Sequence, residues 1–222
     1  MAGGGKWQQH KAEILALLSP YFDVAIKTTS EQHDGAYCAD KAIAEGFDVL
    51  VACGGDGTVT EVASRLINGQ QALGIIPLGT TNALSHFLWG IDAKISPIES
   101  ACMNIINGVT TKIDTARCND KLVLLLAGLG FEYKMIKEAN REEKNNLGQL
   151  AYLQGLWTAI SSNDENNLLV TFDEEAEQQI NVNSLTVANA APFTTVLAQG
   201  GGAPDIQDGQ LVLLGYHILN NL

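Results

Sequence analysis

One carboxylate lies inside a glycine turn at Gly54-Gly55-Asp56-Gly57-Thr58. The apolar run 48–53 precedes the turn and the helical pattern 58–67 follows it, so the turn should join a strand to a helix. Glycines let a backbone approach a bulky anion, and the start of a helix supplies free N–H groups. Phosphate would repel Asp56 unless that carboxylate works with a cation or binds a ribose hydroxyl. The turn therefore predicts a nucleotide or metal–phosphate site.

A second turn, Pro77-Leu78-Gly79-Thr80-Thr81-Asn82, follows the next apolar segment. Its hydroxyl and amide groups could bind polar groups of a nucleotide, and the helix predicted after it offers another N-terminus. Ligands of parallel sheets bind beyond the carboxyl ends of the strands, where both turns should lie. Two such turns at adjacent strand ends are stronger evidence for a nucleotide site than either turn alone.

The elements that must position these turns alternate between helix and strand. Apolar strands separated by amphipathic helices predict an α/β fold with a doubly wound parallel sheet. The predicted helices are 11–18, 34–44, 58–67 and 81–89, and the predicted strands are 22–28, 48–53 and 73–76.

The second half of the chain has a different pattern, which predicts a β-rich, sandwich-like domain. We place the first domain at 1–95 and the second at 96–222, with the active cleft between them. Residues 132–160 are mixed and partly helical. The predicted strands are 112–117, 122–131, 168–172, 180–188 and 211–217.

Composition excludes several classes of protein. A net charge of −12 makes nucleic acid a poor partner, and it also argues against tight docking on anionic lipid. The four cysteines form no CxxC pair, which favours reduced thiols in a cytoplasmic protein over disulfides or zinc. The longest apolar run, 122–131, is too short to span a bilayer, so we expect no transmembrane segment.

The motifs resemble those of a known family. GGDGTVTE at 54–61 and PLGTTNALSHFLWG at 77–90 are similar to the paired signatures of the diacylglycerol kinase catalytic-domain family. That family includes bacterial lipid kinases and sphingosine and ceramide kinases, and it shares a fold with NAD kinases. Similarity continues through 112–114, 127–132, 187–189 and 200–209, which covers nearly the whole chain.

The resemblance implies a function. It implies ATP-dependent phosphoryl transfer to a lipid hydroxyl of the diacylglycerol or sphingoid type, with ATP and Mg²⁺ as cofactors. The second domain would then bind the lipid substrate. The enzyme would be cytoplasmic and would meet its lipid at a membrane surface, by a contact that its acidic charge makes local and transient.

The resemblance also implies roles for individual residues. Asp56 would act with Mg²⁺ or the nucleotide, and Asp114 would lie near the network of metal and water. A structural Mg²⁺ would be held by Asp208, with Asp205 and Gln210 supplying further oxygens. The positions matched to nucleotide binding are Gly3, Gly4, Gly5, Thr29, Gly54, Gly55, Gly57, Thr58, Glu61, Gly79, Thr80 and Asn82.

Plainer roles are open for some of these residues. Asp56 could cap the helix that follows it, and Asp208-Gly209 could be an ordinary hairpin turn. Asp114 could be a turn residue between strands. His86 could be a helix-surface histidine without a special role.

Three departures from the family pattern keep other functions open. The chain opens as if inside the family's first glycine loop, so the fold would lack the first strand, and the open sheet edge could pair with a second copy. The sequence contains no Asp-Gly-Glu triplet, which in the family carries the presumed general base, so the fold would be truncated at both ends. Ala83 and His86 stand where the family commonly has Asp and Arg.

Two alternatives to a lipid kinase follow. One is a nucleotide-binding family member with impaired catalysis or a regulatory role. The other is an NAD-kinase-like enzyme that acts on a soluble substrate, against which the PLGTTN turn counts.

Overall fold

The structure is a computed structural model that describes residues 6–89, 96–130, 165–173, 175–190 and 204–216. The chain falls into two compact units, residues 1–124 and residues 125–222. Each unit is described by itself.

The first unit alternates helices with strands and contains a two-stranded parallel sheet. Strands β1 and β2 pair in parallel, from Val49 opposite Ala72 to Gly54 opposite Pro77. The two glycine turns therefore leave the same edge of the sheet, as the sequence predicted. The elements are α1 (Lys6–Leu18), α2 (Gly35–Ala44), β1 (Val49–Gly54), α3 (Asp56–Ala63), β2 (Ala72–Pro77), α4 (Ala83–Trp89), α5 (Pro97–Asn107), β3 (Ala116–Cys118) and β4 (Lys121–Val123).

Helix α5 was not predicted from the sequence. Its residues Ile98, Ala101 and Cys102 are buried in one core cluster with residues of α1 and β2. The spacing of these three positions gives the helix one apolar face, and Pro97 suits its first turn. The first compact unit therefore continues to residue 124, which differs from the domain boundary predicted after residue 95.

The second unit is built from antiparallel strands. A three-stranded sheet has the order β5-β8-β9, and a separate hairpin joins β6 to β7. The side chains of Ser184, Thr186 and Ala188 on the central strand β8 are buried. A mixed α/β fold with a parallel sheet followed by antiparallel sheets is thus confirmed. The strands are β5 (Leu126–Gly130), β6 (Asn166–Val170), β7 (Gln178–Val182), β8 (Ser184–Ala188) and β9 (Val212–Tyr216).

The predicted strand at 22–28 is wrong, because residues 23–30 have no regular secondary structure. Phe22, Val24 and Ile26 alternate as a strand would, yet each is more than a third exposed. In the described part of the chain this segment pairs with no strand. An alternating pattern without a neighbouring strand makes no ladder.

Other predicted elements differ in their bounds. The segment 112–117 forms a strand only from Ala116, and 122–131 is divided between β4 and β5. The segment 180–188 is divided between β7 and β8 at Asn183. Helix α3 starts at Asp56 and ends at Ala63, earlier at both ends than predicted. The whole of the predicted segment 132–160 lies outside the described residues. None of the helices described is long and apolar enough to cross a bilayer.

Candidate functional site

The two glycine turns are in direct backbone contact. An ideal Cβ placed on Gly79 would lie 2.4 Å from the Cα of Gly55, which is closer than any side chain can approach. The Leu78 N–H donates to the Gly54 carbonyl at 3.0 Å and continues the parallel ladder into the turns. The contact therefore requires glycine at position 79, while a Cβ on Gly55 would lie a tight 3.2 Å from the Gly79 Cα. The start of α3 thus lies beside the second turn.

Asp56 connects the starts of two helices. It is the first residue of α3, and its Oδ1 accepts the N–H of Leu84 in the first turn of α4 at 3.3 Å. The N-cap of α3 is Gly55, which has no side chain to cap the helix. The plainer role considered for Asp56 is thus corrected, because its carboxylate caps the neighbouring helix rather than its own. A half-buried carboxylate is held where the two turns meet.

Asn82 closes the second turn with its own side chain. Its Oδ1 accepts the Gly79 N–H at 2.9 Å, and its Nδ2 donates to the Gly79 carbonyl at 2.9 Å. Its φ of 47° is in the left-handed region, which Asn tolerates better than most residues. The amide of Asn82 therefore shapes the turn, while nucleotide binding by this residue stays a prediction. Thr80 is exposed on the same turn.

The first turn of α3 has one packed side and one open side. A Cβ on Gly54 would lie 2.8 Å from the Thr58 Oγ1, so the Thr58 side chain lies over the end of β1. A Cβ on Gly57 would meet nothing within 4 Å, and Gly57 is exposed. Packing within the described chain does not require glycine at position 57. A helix start with one open side and free N–H groups is suited to an anion.

Glu61 fixes the start of α2 against α3. Its Oε2 accepts the Gly35 N–H at 2.8 Å, and a Cβ on Gly35 would lie 2.8 Å from the same oxygen. Thr29 is half-buried and lies just before a turn in which the Ser30 N–H donates to the His33 carbonyl at 2.8 Å. The observed role of Glu61 is to position a helix, and nucleotide binding by Glu61 and Thr29 stays a prediction.

Lys6 is a residue of this site that was not predicted from the sequence. It is the first residue of α1, and its Nζ donates to the Gly79 carbonyl at 3.4 Å. A cation therefore reaches the second turn. The available signal was a lysine directly after three glycines, because phosphate-binding loops combine glycines with lysine. The predicted site residues Gly3, Gly4 and Gly5 lie outside the described residues.

His86 is less exposed than a surface histidine would be. It is half-buried in α4, and its Nδ1 is buried and has no hydrogen-bond partner among the described residues. Its backbone N–H donates to the Asn82 carbonyl at 3.0 Å, which ties it to the second turn. Ala83 is the first residue of the same helix.

The remaining predicted site residues lie in irregular segments. Asp114 is half-buried between α5 and β3. In the late turn, Asp205 Oδ1 accepts the Gln207 N–H at 3.0 Å and Asp208 Oδ1 accepts the Gln210 N–H at 2.8 Å. Asp208 and Gln210 are thus neighbours, and a metal at this turn stays a prediction. Within the described ranges, no three His, Cys, Asp or Glu side chains converge as a metal-binding group.

Comparisons with known proteins agree with the motifs. A family model described as the diacylglycerol kinase catalytic domain matches residues 1–118. An uncharacterized protein of Synechocystis is 42% identical over 209 residues, which cover 89% of this chain and 44% of that protein. A diacylglycerol kinase of Bacillus subtilis is 32% identical over 154 residues, covering 68% of this chain and 50% of that protein.

A solved structure shares the fold. The crystal structure of a diacylglycerol kinase from Bacillus anthracis matches with a TM-score of 0.72 and 26% identity, covering 97% of this chain and 70% of that one. The chain spans about half the length of the curated relatives it matches.

Proposed function

Because the chain belongs to the diacylglycerol kinase catalytic-domain family, we propose that it transfers the γ-phosphate of ATP to the hydroxyl of a diacylglycerol or sphingoid lipid. The observation that carries this proposal is the backbone contact between Gly55 and Gly79, which leaves no room for a side chain at position 79. That contact sets the open start of α3 beside a second polar turn. Helix starts with free N–H groups bind phosphate, and two adjoining turns extend the site along a nucleotide.

The phosphates of ATP would lie at the N–H groups of Gly57 and Thr58, on the open side of α3. Lys6 Nζ, at the Gly79 carbonyl, would supply positive charge in an otherwise acidic protein. The nucleotide site would be completed by residues that touch the nucleotide or hold the residues that do: Thr29, Glu61, Thr80 and the segment 3–5.

Mg²⁺ fits the oxygen ligands present at this site. Proteins that handle nucleoside triphosphates usually hold Mg²⁺ through one or two carboxylates together with the substrate phosphates. Asp56 supplies such a carboxylate where the turns meet. When bound, the ion neutralises charge on the phosphates. We further propose that Asp114 lies near this ion and that the late turn of Asp205, Asp208 and Gln210 holds a structural Mg²⁺.

The reaction requires mainly positioning and charge neutralisation. The lipid hydroxyl oxygen forms a bond to the γ-phosphorus, and the bond from that phosphorus to the bridging oxygen breaks. ADP leaves, and the hydroxyl proton passes to a base. Gly57, Thr58 and Lys6 would hold the phosphates of ATP so that the γ-phosphorus is in line with the lipid hydroxyl.

Support for a lipid acceptor comes from the names of the relatives. The Bacillus subtilis relative and the Bacillus anthracis structure are both named diacylglycerol kinases. The proposed enzyme works in the cytoplasm at a membrane surface, with brief contact because the chain carries a net charge of −12.

A panel of acceptors tests the proposal. The purified chain is incubated with γ-labelled ATP and Mg²⁺, and with vesicles that contain diacylglycerol, sphingosine or neither. We expect label in the lipid extract only when one of these acceptors is present. Label transferred to NAD, offered separately, would identify a soluble-substrate kinase. ADP binding without any transfer would identify a nucleotide-binding protein without catalysis.

A further inference from the structure

Two aromatic rings stack at the start of α2 and remain exposed. The centroids of the His33 and Tyr37 rings are 4.1 Å apart, with an angle of 23° between the planes. Tyr37 is 42% exposed and His33 is also exposed. Stacked aromatic pairs usually bury their area in a core or an interface. This pair instead presents flat ring surface to solvent.

The backbone of both ring-bearing residues is fixed by local hydrogen bonds. The His33 carbonyl accepts the Ser30 N–H at 2.8 Å, and the His33 N–H donates to Ser30 Oγ at 3.2 Å. The Tyr37 N–H donates to Asp34 Oδ1 at 2.8 Å, which caps α2. A surface organised before binding loses less conformational entropy when a ligand arrives.

The pair also flanks the residue that joins α2 to the helix of the phosphate site. Gly35 lies two residues from each ring in sequence, and its N–H donates to Glu61 of α3. A Cβ on Gly35 would lie 3.4 Å from the Thr58 carbonyl, in the first turn of α3. The stacked rings therefore lie at the start of a helix that packs against α3, outside the first turn that forms the proposed phosphate site.

We propose that His33 and Tyr37 form a platform on which the adenine base of ATP stacks. The inference rests on the proposed nucleotide site and adds the residues that bind its base. Lys41 Nζ lies 5.7 Å from the centre of the Tyr37 ring, so we assign the stacking face to His33, with Tyr37 supporting it from behind. Stacking recognises ring surface rather than hydrogen-bond pattern, so the platform should accept guanine as well as adenine.

Calorimetric titration with two ligands tests the platform. ADP carries the base, whereas tripolyphosphate carries only the phosphate charge, and both are titrated with Mg²⁺ present. We expect His33→Ala and Tyr37→Ala to weaken ADP binding roughly tenfold, within the range typical of base–aromatic stacking. Neither variant should change the binding of tripolyphosphate. His33→Phe should keep the affinity for ADP, because it restores a flat ring.

Matched controls separate the platform from general effects on the fold. Tyr37→Phe keeps the ring, and Tyr21→Ala removes another exposed aromatic side chain, 66% exposed, away from the stacked pair in sequence. Both should bind ADP as the unaltered chain does. If Tyr37→Ala fails to fold, the comparison of His33→Ala with His33→Phe decides, since His33 precedes the helix.

The outcomes distinguish this inference from the function on which it rests. If the unaltered chain binds tripolyphosphate and His33→Ala binds ADP as tightly as the unaltered chain does, the platform is overturned and the phosphate site stands. If it binds neither ligand, both proposals are overturned. Equal weakening of both ligands by His33→Ala, or no weakening of either, also overturns the platform.

Discussion

At the scale of single residues, the glycines of the site are required for different reasons. A Cβ added to Gly57 would meet open space, whereas a Cβ added to Gly79 would lie only 2.4 Å from the Cα of Gly55. We expect Gly57→Ala to stabilise the fold by about 0.5–1 kcal/mol, because alanine loses less entropy in a helix. The same methyl group would occupy the open side of α3 and weaken ADP binding by roughly tenfold or more, about 1.4 kcal/mol. Thermal unfolding and ADP titration check both effects.

Gly79→Ala is the matched control for this prediction. Its methyl group must separate the two turns, so we expect a loss of stability of about 1–3 kcal/mol together with weaker binding. If Gly57→Ala bound ADP as well as the unaltered chain, the phosphates could not lie on the open side of α3.

Some of these residue roles could be predicted from sequence and others could not. The Gly54–Thr58 turn is local, so its position after a strand and before a helix was predictable. The contact of Lys6 with the Gly79 carbonyl was not predictable, because it joins residues 73 positions apart. The hydrogen bonds between the Asn82 amide and Gly79 were not predictable either, because they depend on a left-handed backbone that sequence does not fix.

At the scale of elements, the second turn depends on the side chain and the backbone of Asn82. Asn82→Ala should lose both hydrogen bonds to Gly79 and add left-handed strain, for a total of roughly 2–3 kcal/mol. Asn82→Gly should lose the same hydrogen bonds without the strain, so its stability should lie between those of the unaltered chain and Asn82→Ala. Urea unfolding measures the order. An alanine variant as stable as the unaltered chain would show that the turn does not need this side chain.

Glu61 is predicted to act between α2 and α3. Glu61→Ala removes the acceptor of the Gly35 N–H, and a hydrogen bond to a charged group contributes about 1.5–3 kcal/mol. Glu61→Gln keeps an acceptor oxygen, so we expect a smaller loss of about 1 kcal/mol. ADP affinity should fall in the same order if α2 must be held against α3. Equal stability of the two variants in urea would contradict this role.

The predicted and observed elements differ where packing against a neighbouring helix or strand decides which structure forms. Val24 and Ile26 have the alternation of a strand but remain exposed, so no ladder forms there among the described residues. Helix α5 was missed although Ile98, Ala101 and Cys102 have helical spacing, and their packing on α1 and β2 is what makes this segment part of the first unit. Local pattern predicts what an element could be, and packing against other elements decides what forms.

At the scale of the whole molecule, the half-buried thiol of Cys53, which packs against the core of the first unit, makes the stability of that unit depend on pH at high pH. Burial, together with a smaller effect of the neighbouring Cys102, raises the pKa of Cys53 to about 12. The unfolded thiol titrates near its ordinary value of 9.0 and the folded one higher, so the folded state retains its proton longer. The resulting stability is complete below pH 9 and is lost as the pH rises towards 12.

We expect Cys53→Ala to reduce this loss by up to about 1.4 kcal/mol for each pH unit above 9. Urea unfolding at a series of pH values measures it. Cys118→Ala removes an exposed thiol and is the control, since it should follow the unaltered chain. Parallel curves for all three proteins would show that the Cys53 thiol has no part in the alkaline loss.

The two compact units account for the division between an α/β half and a β-rich half that the sequence predicted. The position of the division was less predictable, because α5 packs into the core of the first unit. The residues of the candidate site that are in mutual contact, from Lys6 to Leu84, all belong to the first unit. This unit contains much of the proposed nucleotide site, whereas we propose that the second unit binds the lipid and selects it.

The most direct test of the central claim is phosphoryl transfer by Asp56→Asn. Asparagine keeps an oxygen that can accept the Leu84 N–H and caps helices as well as aspartate does, so stability should change by less than about 0.5 kcal/mol. The variant loses the negative charge that would hold Mg²⁺ at the phosphates. We predict that transfer from ATP to diacylglycerol or sphingosine falls by roughly a hundredfold or more, while urea unfolding stays unchanged. A folded Asp56→Asn protein that still phosphorylates lipid at the original rate would contradict the account.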